Sequence, residues 1–311
     1  MLKETKGYTN LRGKIWGLNK KEIYDSEYSR ELSFGINTSK DNALFVGINT
    51  FKNVKNVYVR SEDGKVEAVP FLQRNNLAEG QKLIGVNIKS ENDESTVTLC
   101  ELDALKYIKD NFKDGMSIFV KCTNRIDAYR KGIKPQIQQI YMTNEPIDFD
   151  VEDFEEGNKF VQEVIMIDKD NIDNCEINVA VVDRNLNIIE MPLKLSNEEE
   201  VINFFKTCKK GDLIKVVGKM VRKPIYEDTD DDTQAKVSLI KKKSLGGNYG
   251  KKVAKGYDEY FEVYDVESRE EKKYSREDFE EAEQERAKKE QERAEKKANK
   301  PVIKDQGDLP F

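Results

Sequence analysis

Residues 98–122 read TLCELDALKYIKDNFKDGMSIFVKC, and residues 196–217 read SNEEEVINFFKTCKKGDLIKVV. In the first stretch apolar Leu105, Ile108 and Phe112 recur at helical spacing, Gly115 supplies the stop, and 116–122 returns to strand character. The second stretch repeats that grammar with Val201, Phe204 and Cys208, then Gly211, then a strand over 213–217. The two units lie 96 residues apart. Thr98 with Glu101, and Ser196 with Glu199, have the spacing that predicts a capping box at each helix start.

Working outward, short turn-punctuated β segments fill 11–18, 31–37, 43–50, 54–60, 65–72 and 83–89, with Glu62-Asp63-Gly64-Lys65 as a hairpin turn. Val57, Val59, Val66, Pro70 and Phe71 correspond at an offset of 122 to Val179, Val181, Ile188, Pro192 and Leu193. The mismatch between the two offsets predicts an insertion over 72–97 in the first copy. Short β patterns recur by chance in any all-β chain, but the paired helix–glycine–strand units favour duplication. Strands with one helix ahead of the last two match the order of the five-stranded Greek-key oligonucleotide-binding barrel. The expected fold is therefore mainly β: two tandem barrels of that kind, each with one helix, and a charged, partly helical tail.

The expected boundaries are 1–147 and 158–244 for the two barrels, 245–304 for a flexible charged linker, and 305–311 for a terminal tip. In copy one the last two strands, 116–129 and 136–142, would be joined by a basic turn over 130–135. An acidic linker occupies 144–157, and an acidic loop over 227–232 would repel phosphate from copy two.

The net charge is −6, which opposes a polyanionic partner until its distribution is considered. Residues 1–144 carry +5 and the remainder −11. The absence of histidine excludes Ser-His-Asp and Cys-His catalysis. Four cysteines, Cys100, Cys122, Cys175 and Cys208, lie far apart and read as reduced thiols rather than metal ligands. With no phosphate loop, catalytic lysine motif or metal cluster, neither an enzyme nor a bound cofactor or metal is expected. No apolar run suits a bilayer or a signal peptide, so a cytoplasmic protein with no membrane partner and no small-molecule substrate is expected.

Binding single strands without reading sequence needs cations for phosphates and aromatic faces for bases. Arg12, Lys14 and Trp16 alternate on one strand and share a face. Tyr24, Tyr28 and Arg30 follow in a polar loop, and Lys52, Lys55, Arg60 and Arg74 are candidates to follow phosphates. Phe34, Phe45, Phe51 and Tyr58 sit on strands, where an aromatic is more often core than contact. Arg125, Tyr129, Arg130, Lys131 and Lys134 come from the last strands and their turn.

The chain ends Lys304-Asp305-Gln306-Gly307-Asp308-Leu309-Pro310-Phe311. Asp308-Leu309-Pro310-Phe311 resembles the acidic tip of bacterial single-stranded DNA-binding proteins, and the whole arrangement resembles a bacteriophage-encoded protein of that kind. The resemblance implies that the Phe311 ring enters a pocket on a partner, with Leu309 and Pro310 beside it and Asp305 and Asp308 adding ion pairs. This tip is less acidic than the family's, and two barrels replace its usual one, so the family's tetramer does not carry over. The function expected is coating and protection of single-stranded DNA in replication, recombination and repair, with replication or recombination proteins recruited by the tip. A protein-interaction adaptor and an RNA-binding barrel protein are the alternatives.

Overall fold

In the computed structural model, which describes residues 1–91, 95–127, 132–226 and 254–298, alternation along the strands decides which face is buried. Strand β1 (Gly7–Trp16) turns Leu11, Gly13 and Ile15 inward and Arg12, Lys14 and Trp16 outward. Strands β3 (Ser29–Asn37) and β4 (Ala43–Phe51) bury Leu32, Phe34 and Ile36 against Leu44, Val46 and Ile48. A two-residue strand, β2 (Tyr24–Asp25), lies along β3. β1 pairs with β3 on one side and with β10 (Ser117–Asp127) on the other. β10 pairs with β11 (Gly132–Met142), which meets β4 in parallel where Gln136 faces Gly47. The pairings thus close on themselves through five strands. Helix α1 (Glu101–Asn111) covers the ring with Ala104, Leu105 and Ile108.

A second ring repeats this path. β12 (Gly157–Asp168) pairs with β13 (Glu176–Val182) and β15 (Leu213–Tyr226). β13 pairs with β14 (Ile188–Leu195), which meets β16 (Ala254–Glu270) in parallel, and β16 returns along β15. Helix α2 (Glu199–Thr207) packs Val201 and Phe205 onto a core of Phe160, Val164, Val179, Leu193 and Val216. Gly115 and Gly211 both take positive φ after their helices, at 90° and 86°, where a side chain would be strained. The chain is mainly β, as the sequence leads one to expect.

The rings are joined edge to edge. β1 pairs antiparallel with β12 from Gly7↔Gln162 to Arg12↔Gly157. Buried Thr9 donates to Asn124, whose amide donates to the Val161 carbonyl and to Gln162. On the flank, the Asn42 amide donates to the Met220 carbonyl and accepts from the Arg222 N–H, as a paired strand would. Asn158 makes the same two-way contact with Met220.

Four expectations are corrected. Neither capping box forms. The residue ahead of α1 is Cys100 and that ahead of α2 is Glu198, neither with a side-chain cap. Thr98 belongs to β9 (Val97–Leu99) and donates to Asn87, while Ser196 is held by its N–H on the Val263 carbonyl; strand pairing wins over capping at both places. Acids in the first turns, Glu101 and Asp103 or Glu199 and Glu200, complement the helix dipoles instead.

The proline-ended hairpin around Val57 and Pro70 is not the counterpart of β13–β14. Its strands, β5 (Asn56–Arg60) and β6 (Val66–Pro70), join β7 (Lys82–Ile84) in a separate three-stranded sheet outside the ring. β3 and β4 hold the ring positions that β13 and β14 hold in the second copy. The insertion is therefore the whole stretch between β4 and α1, wider than 72–97. Its strand β8 (Val86–Lys89) pairs with β9 and, in parallel, with β11 beyond the point where β4 leaves it.

The second ring also ends later than residue 244, because the charged β16 supplies its closing strand. Beyond it, α3 (Arg276–Ala298) begins at a reciprocal Ser275–Asp278 cap and docks Phe279 and Ala282 beside Leu2 and Tyr274. Finally, Lys134 and Pro135 belong to β11 rather than to a turn. The acidic loop 227–232, the 245–253 part of the linker and the tip 305–311 lie outside the described residues.

Burial pushes the Cys100 and Cys208 thiols up to about 11 and the Cys122 thiol higher still, so all three are protonated near neutrality. Among the described residues no helix is long and apolar enough to cross a membrane, and no three His, Cys, Asp or Glu side chains are placed to hold a metal.

Asp212 locks the end of β16 to the turn after α2. It is fully buried, accepts from the N–H groups of Lys209 and Lys272, and pairs with Arg269 at 2.7 Å. Burial alone would raise its carboxyl, but those two N–H groups and the guanidinium outweigh it and hold it below the ordinary value. A lowered folded-state value means that this stabilisation is complete above the unfolded value of about 4 and is lost as pH falls through the folded one. Asp212→Asn is expected to cost about 3 to 5 kcal/mol at pH 7, since Arg269 loses its buried partner. Thermal melts of both proteins from pH 7 to pH 3 check this: the gap between them narrows towards acid.

Candidate nucleic-acid interface

The outward residues of β1, β3 and β4 form cross-strand rows. In the central row Trp16 faces Gly35 on β3, and Gly35 faces Phe45 on β4. The indole lies across the glycine: a Cβ built on Gly35 would meet Trp16 Nε1 at 2.0 Å. It thereby reaches Phe45, with ring centroids 5.3 Å apart. Phe45 keeps 38% of its surface exposed, and the buried indole N–H has no acceptor among the described residues. Along β1 the Lys14 ammonium sits 5.2 Å over the Phe149 ring, and exposed Arg12 stands at the junction opposite Gly157.

The other end of this face carries the most exposed aromatics. Tyr24 is 66%, Tyr28 67% and Phe51 66% exposed. The Ser26 hydroxyl accepts from the Tyr28 and Ser29 N–H groups and shapes the loop, and the Lys52 N–H donates to the Tyr28 carbonyl at 2.9 Å, bringing Tyr28 beside Phe51 and Lys52. Asp25 gathers both nearby cations, Lys52 and Arg30. The Lys52 hydrogen bond, reinforced by Arg30, holds its carboxyl below the ordinary value. The Tyr28 hydroxyl is raised by its bond to Glu27. On the flank, Lys134 pairs with Glu31, and Arg125 lies opposite Lys134.

The structure thus brings Arg12, Lys14, Trp16, Tyr24, Tyr28, Arg30, Phe51, Lys52, Arg125 and Lys134 to one face and its rim. It does not bring all candidates there. Phe34, 1% exposed, points into the core because it alternates with Ser33 and Gly35, so stacking is excluded for it. Arg74 pairs with Asp103 of α1 at 2.5 Å and lies over Phe71, which commits it to holding the insertion against the helix. Tyr58, Arg60 and Lys55 belong to the separate sheet and its approach. Tyr129, Arg130 and Lys131 lie outside the described residues.

Phe45, weighed in the sequence with the other strand aromatics as more often core than contact, faces outward in the central row, as the inward alternation of Leu44, Val46 and Ile48 signals. One residue was missed. Arg222 of β15 reaches over from the second ring, its guanidinium 4.9 Å from the Phe45 ring, and no local pattern marks it.

Among known proteins, residues 95–299 match the YorF family. No curated protein matches the sequence. Among solved structures, the crystal structure of a deletion mutant of the single-stranded DNA binding protein from Thermus aquaticus is similar at 10% identity, covering 74% of this chain and 98% of that one, with a TM-score of 0.36.

The close fit of Trp16 on Gly35 has a direct test, since this is the only tryptophan in the chain. Gly35→Val is expected to lift the indole off β3, shift its emission to the red and cost about 1 to 3 kcal/mol by overpacking. Fluorescence and thermal melting measure both; an unmoved emission maximum counts against the geometry.

Proposed function

We propose that this chain, which belongs to the YorF family, binds single-stranded DNA without reading its sequence, using the outward face of the first ring. The observation that carries the reading is the Trp16–Gly35–Phe45 row, continued by Tyr24, Tyr28 and Phe51, on a face edged by lysines and arginines. Each stacked base contributes about 1 to 3 kcal/mol, and every base offers a π face, so such a row favours no sequence.

The strand path of each ring supports reading both as oligonucleotide-binding barrels. The third and fifth strands meet in parallel, and a helix stands between the third and fourth. In that fold the second and third strands and the first loop form the binding face, which here are β3, β4 and the loop holding Tyr24 and Tyr28. We take the barrels as 1–147, enlarged by the insertion, and 158–270. Coating of strands during replication, recombination or repair, and recruitment of other proteins by Asp305, Asp308, Leu309, Pro310 and Phe311, complete the proposal.

Charge contributes less than stacking here. Arg30, Lys52 and Lys134 are each held by a carboxylate, whereas Arg12 and Arg125 make no ion pair among the described residues and Lys14 lies over a ring. Three such cations predict a slope of log affinity on log salt of about −2, at about −0.7 per phosphate on single strands.

The test is titration of a fluorescent oligothymidine at several salt concentrations, with Trp16 emission followed in parallel. Wild type should bind with that slope and with quenching, and Phe45→Ala should bind about tenfold or more weakly. Asp25→Asn frees Arg30 and Lys52 and should bind several-fold more tightly at low salt, with a steeper slope. Absence of quenching at low salt would overturn the reading, and stronger binding of the matching ribose strand would turn it towards RNA.

A further inference from the structure

Between the rings lies a cleft of about 1010 Å³, at the upper end of the roughly 300 to 1,000 Å³ typical of small-molecule sites. One wall is the outward face of the first ring at Phe45; the other is the second ring, with Met191, Pro192, Met220, Tyr260 and Phe261. It therefore opens directly from the proposed DNA face, with Phe45 common to both.

The charges in this cleft do not suit a phosphate backbone. Among the described residues, Lys21, Lys134 and Arg222 are outnumbered by Glu22, Glu31, Asp127 and Glu259, and Lys134 and Arg222 are already matched by Glu31 and Glu259. A phosphate entering would bring negative charge among acids. The lining instead suits a flat, neutral, aromatic group with polar edges. Phe45, Tyr260 and Phe261 offer ring faces, and the two methionines offer adaptable thioethers. The Arg222 guanidinium lies between the Phe45 ring, at 4.9 Å, and the Tyr257 ring, at 3.3 Å. Its Nε donates to Glu259 at 2.6 Å, while its buried Nη1 has no acceptor among the described residues, which in a desolvated position is costly until one arrives. Lys194, 3.7 Å over the Tyr260 ring, stands near this wall and is matched by Asp258 at 3.6 Å.

We infer that the cleft seats unpaired bases of the strand that lies on the first ring, so that the second ring contributes base contacts while the phosphates stay outside. Arg222 Nη1 donates to a base carbonyl, which adds to the sequence-independent stacking on the first ring a modest preference for thymine and guanine over adenine, whose edge carries no carbonyl. This rests on the single-stranded DNA reading, and the experiment separates the two.

An oligothymidine carrying 5-iododeoxyuridine is photocrosslinked to the full chain, and the adducts are mapped. Crosslinks in the peptide holding Tyr257, Tyr260 and Phe261 are expected beside those at Trp16 or Phe45. Tyr260→Leu, which keeps apolar bulk and removes the ring face, should weaken binding about tenfold while Trp16 quenching at saturation persists. An abasic stretch in the strand should abolish the difference between this variant and wild type. Arg222→Lys should lose the preference for oligothymidine over oligoadenosine. Crosslinks confined to the first ring, with Tyr260→Leu binding as wild type does, overturn the inference and leave the DNA reading standing. Absence of any binding by wild type overturns both.

Discussion

The antiparallel ladder between β1 and β12 is the constraint on which the arrangement depends. β1 is shared three ways: it closes the first ring through β3 and β10, and its outer edge near Gly7–Arg12 is taken by the second ring. An unpaired edge there would expose a row of N–H and C=O groups, so the second ring satisfies hydrogen bonds that the first cannot satisfy alone. The cost is a polar seam inside the molecule, and Thr9, Asn124 and Gln162 meet it by bonding to one another and to the Val161 carbonyl. Asn42 and Asn158 add a side-chain imitation of strand pairing on β15. A seam made of directional bonds fixes the angle between the rings. That in turn puts Arg222 over Phe45 and gives the cleft its shape.

Much of the fold was legible because two local signals were strong. Helical spacing in Leu105, Ile108 and Phe112, followed by Gly115, recurs in Val201, Phe204 and Cys208, followed by Gly211, although it is Phe205 rather than Phe204 that is buried, and period-2 alternation marks β1, β3 and β4. What failed was matching by similarity of short hairpins. β5–β6 and β13–β14 share valines in the first strand and a proline in the second because both are hairpins, and that pattern is blind to whether the sheet belongs to the ring. β16 was missed for a different reason. Its many Asp and Glu residues lower its mean hydropathy, while among its described residues only Val263 is fully buried, so it resembles the charged tail that follows. Its Tyr257, Tyr260, Phe261, Val263 and Tyr264 carried the strand signal.

The site was less legible than the fold, since a surface is made by several strands at once. The Arg12–Lys14–Trp16 alternation belongs to one strand and was readable. Which carboxylate takes which cation was not: Asp25 with Lys52, Glu31 with Lys134 and Asp103 with Arg74 are separated by 27, 103 and 29 residues. Counting lysines and arginines therefore overstates the positive potential of the first half of the chain. Gly35 is the instructive exception. A glycine in the middle of a strand weakens it unless something uses the space, and here an indole does.

These pairings bear on how a chain of net charge −6 would hold a polyanion. Where cations are already matched, a phosphate must displace a carboxylate to be bound, and the gain is the difference between two ion pairs in water, each worth about 1 kcal/mol or less. Stacking has no such competitor: Tyr24, Tyr28 and Phe51 are exposed to solvent, and covering them removes apolar surface from water whatever the salt. An acidic protein with a self-neutralised face thus gives up long-range attraction and keeps contacts that demand unpaired, accessible bases. Double-stranded DNA offers phosphates but hides its base faces, so the same balance that weakens electrostatic binding is what would discriminate between single and double strands.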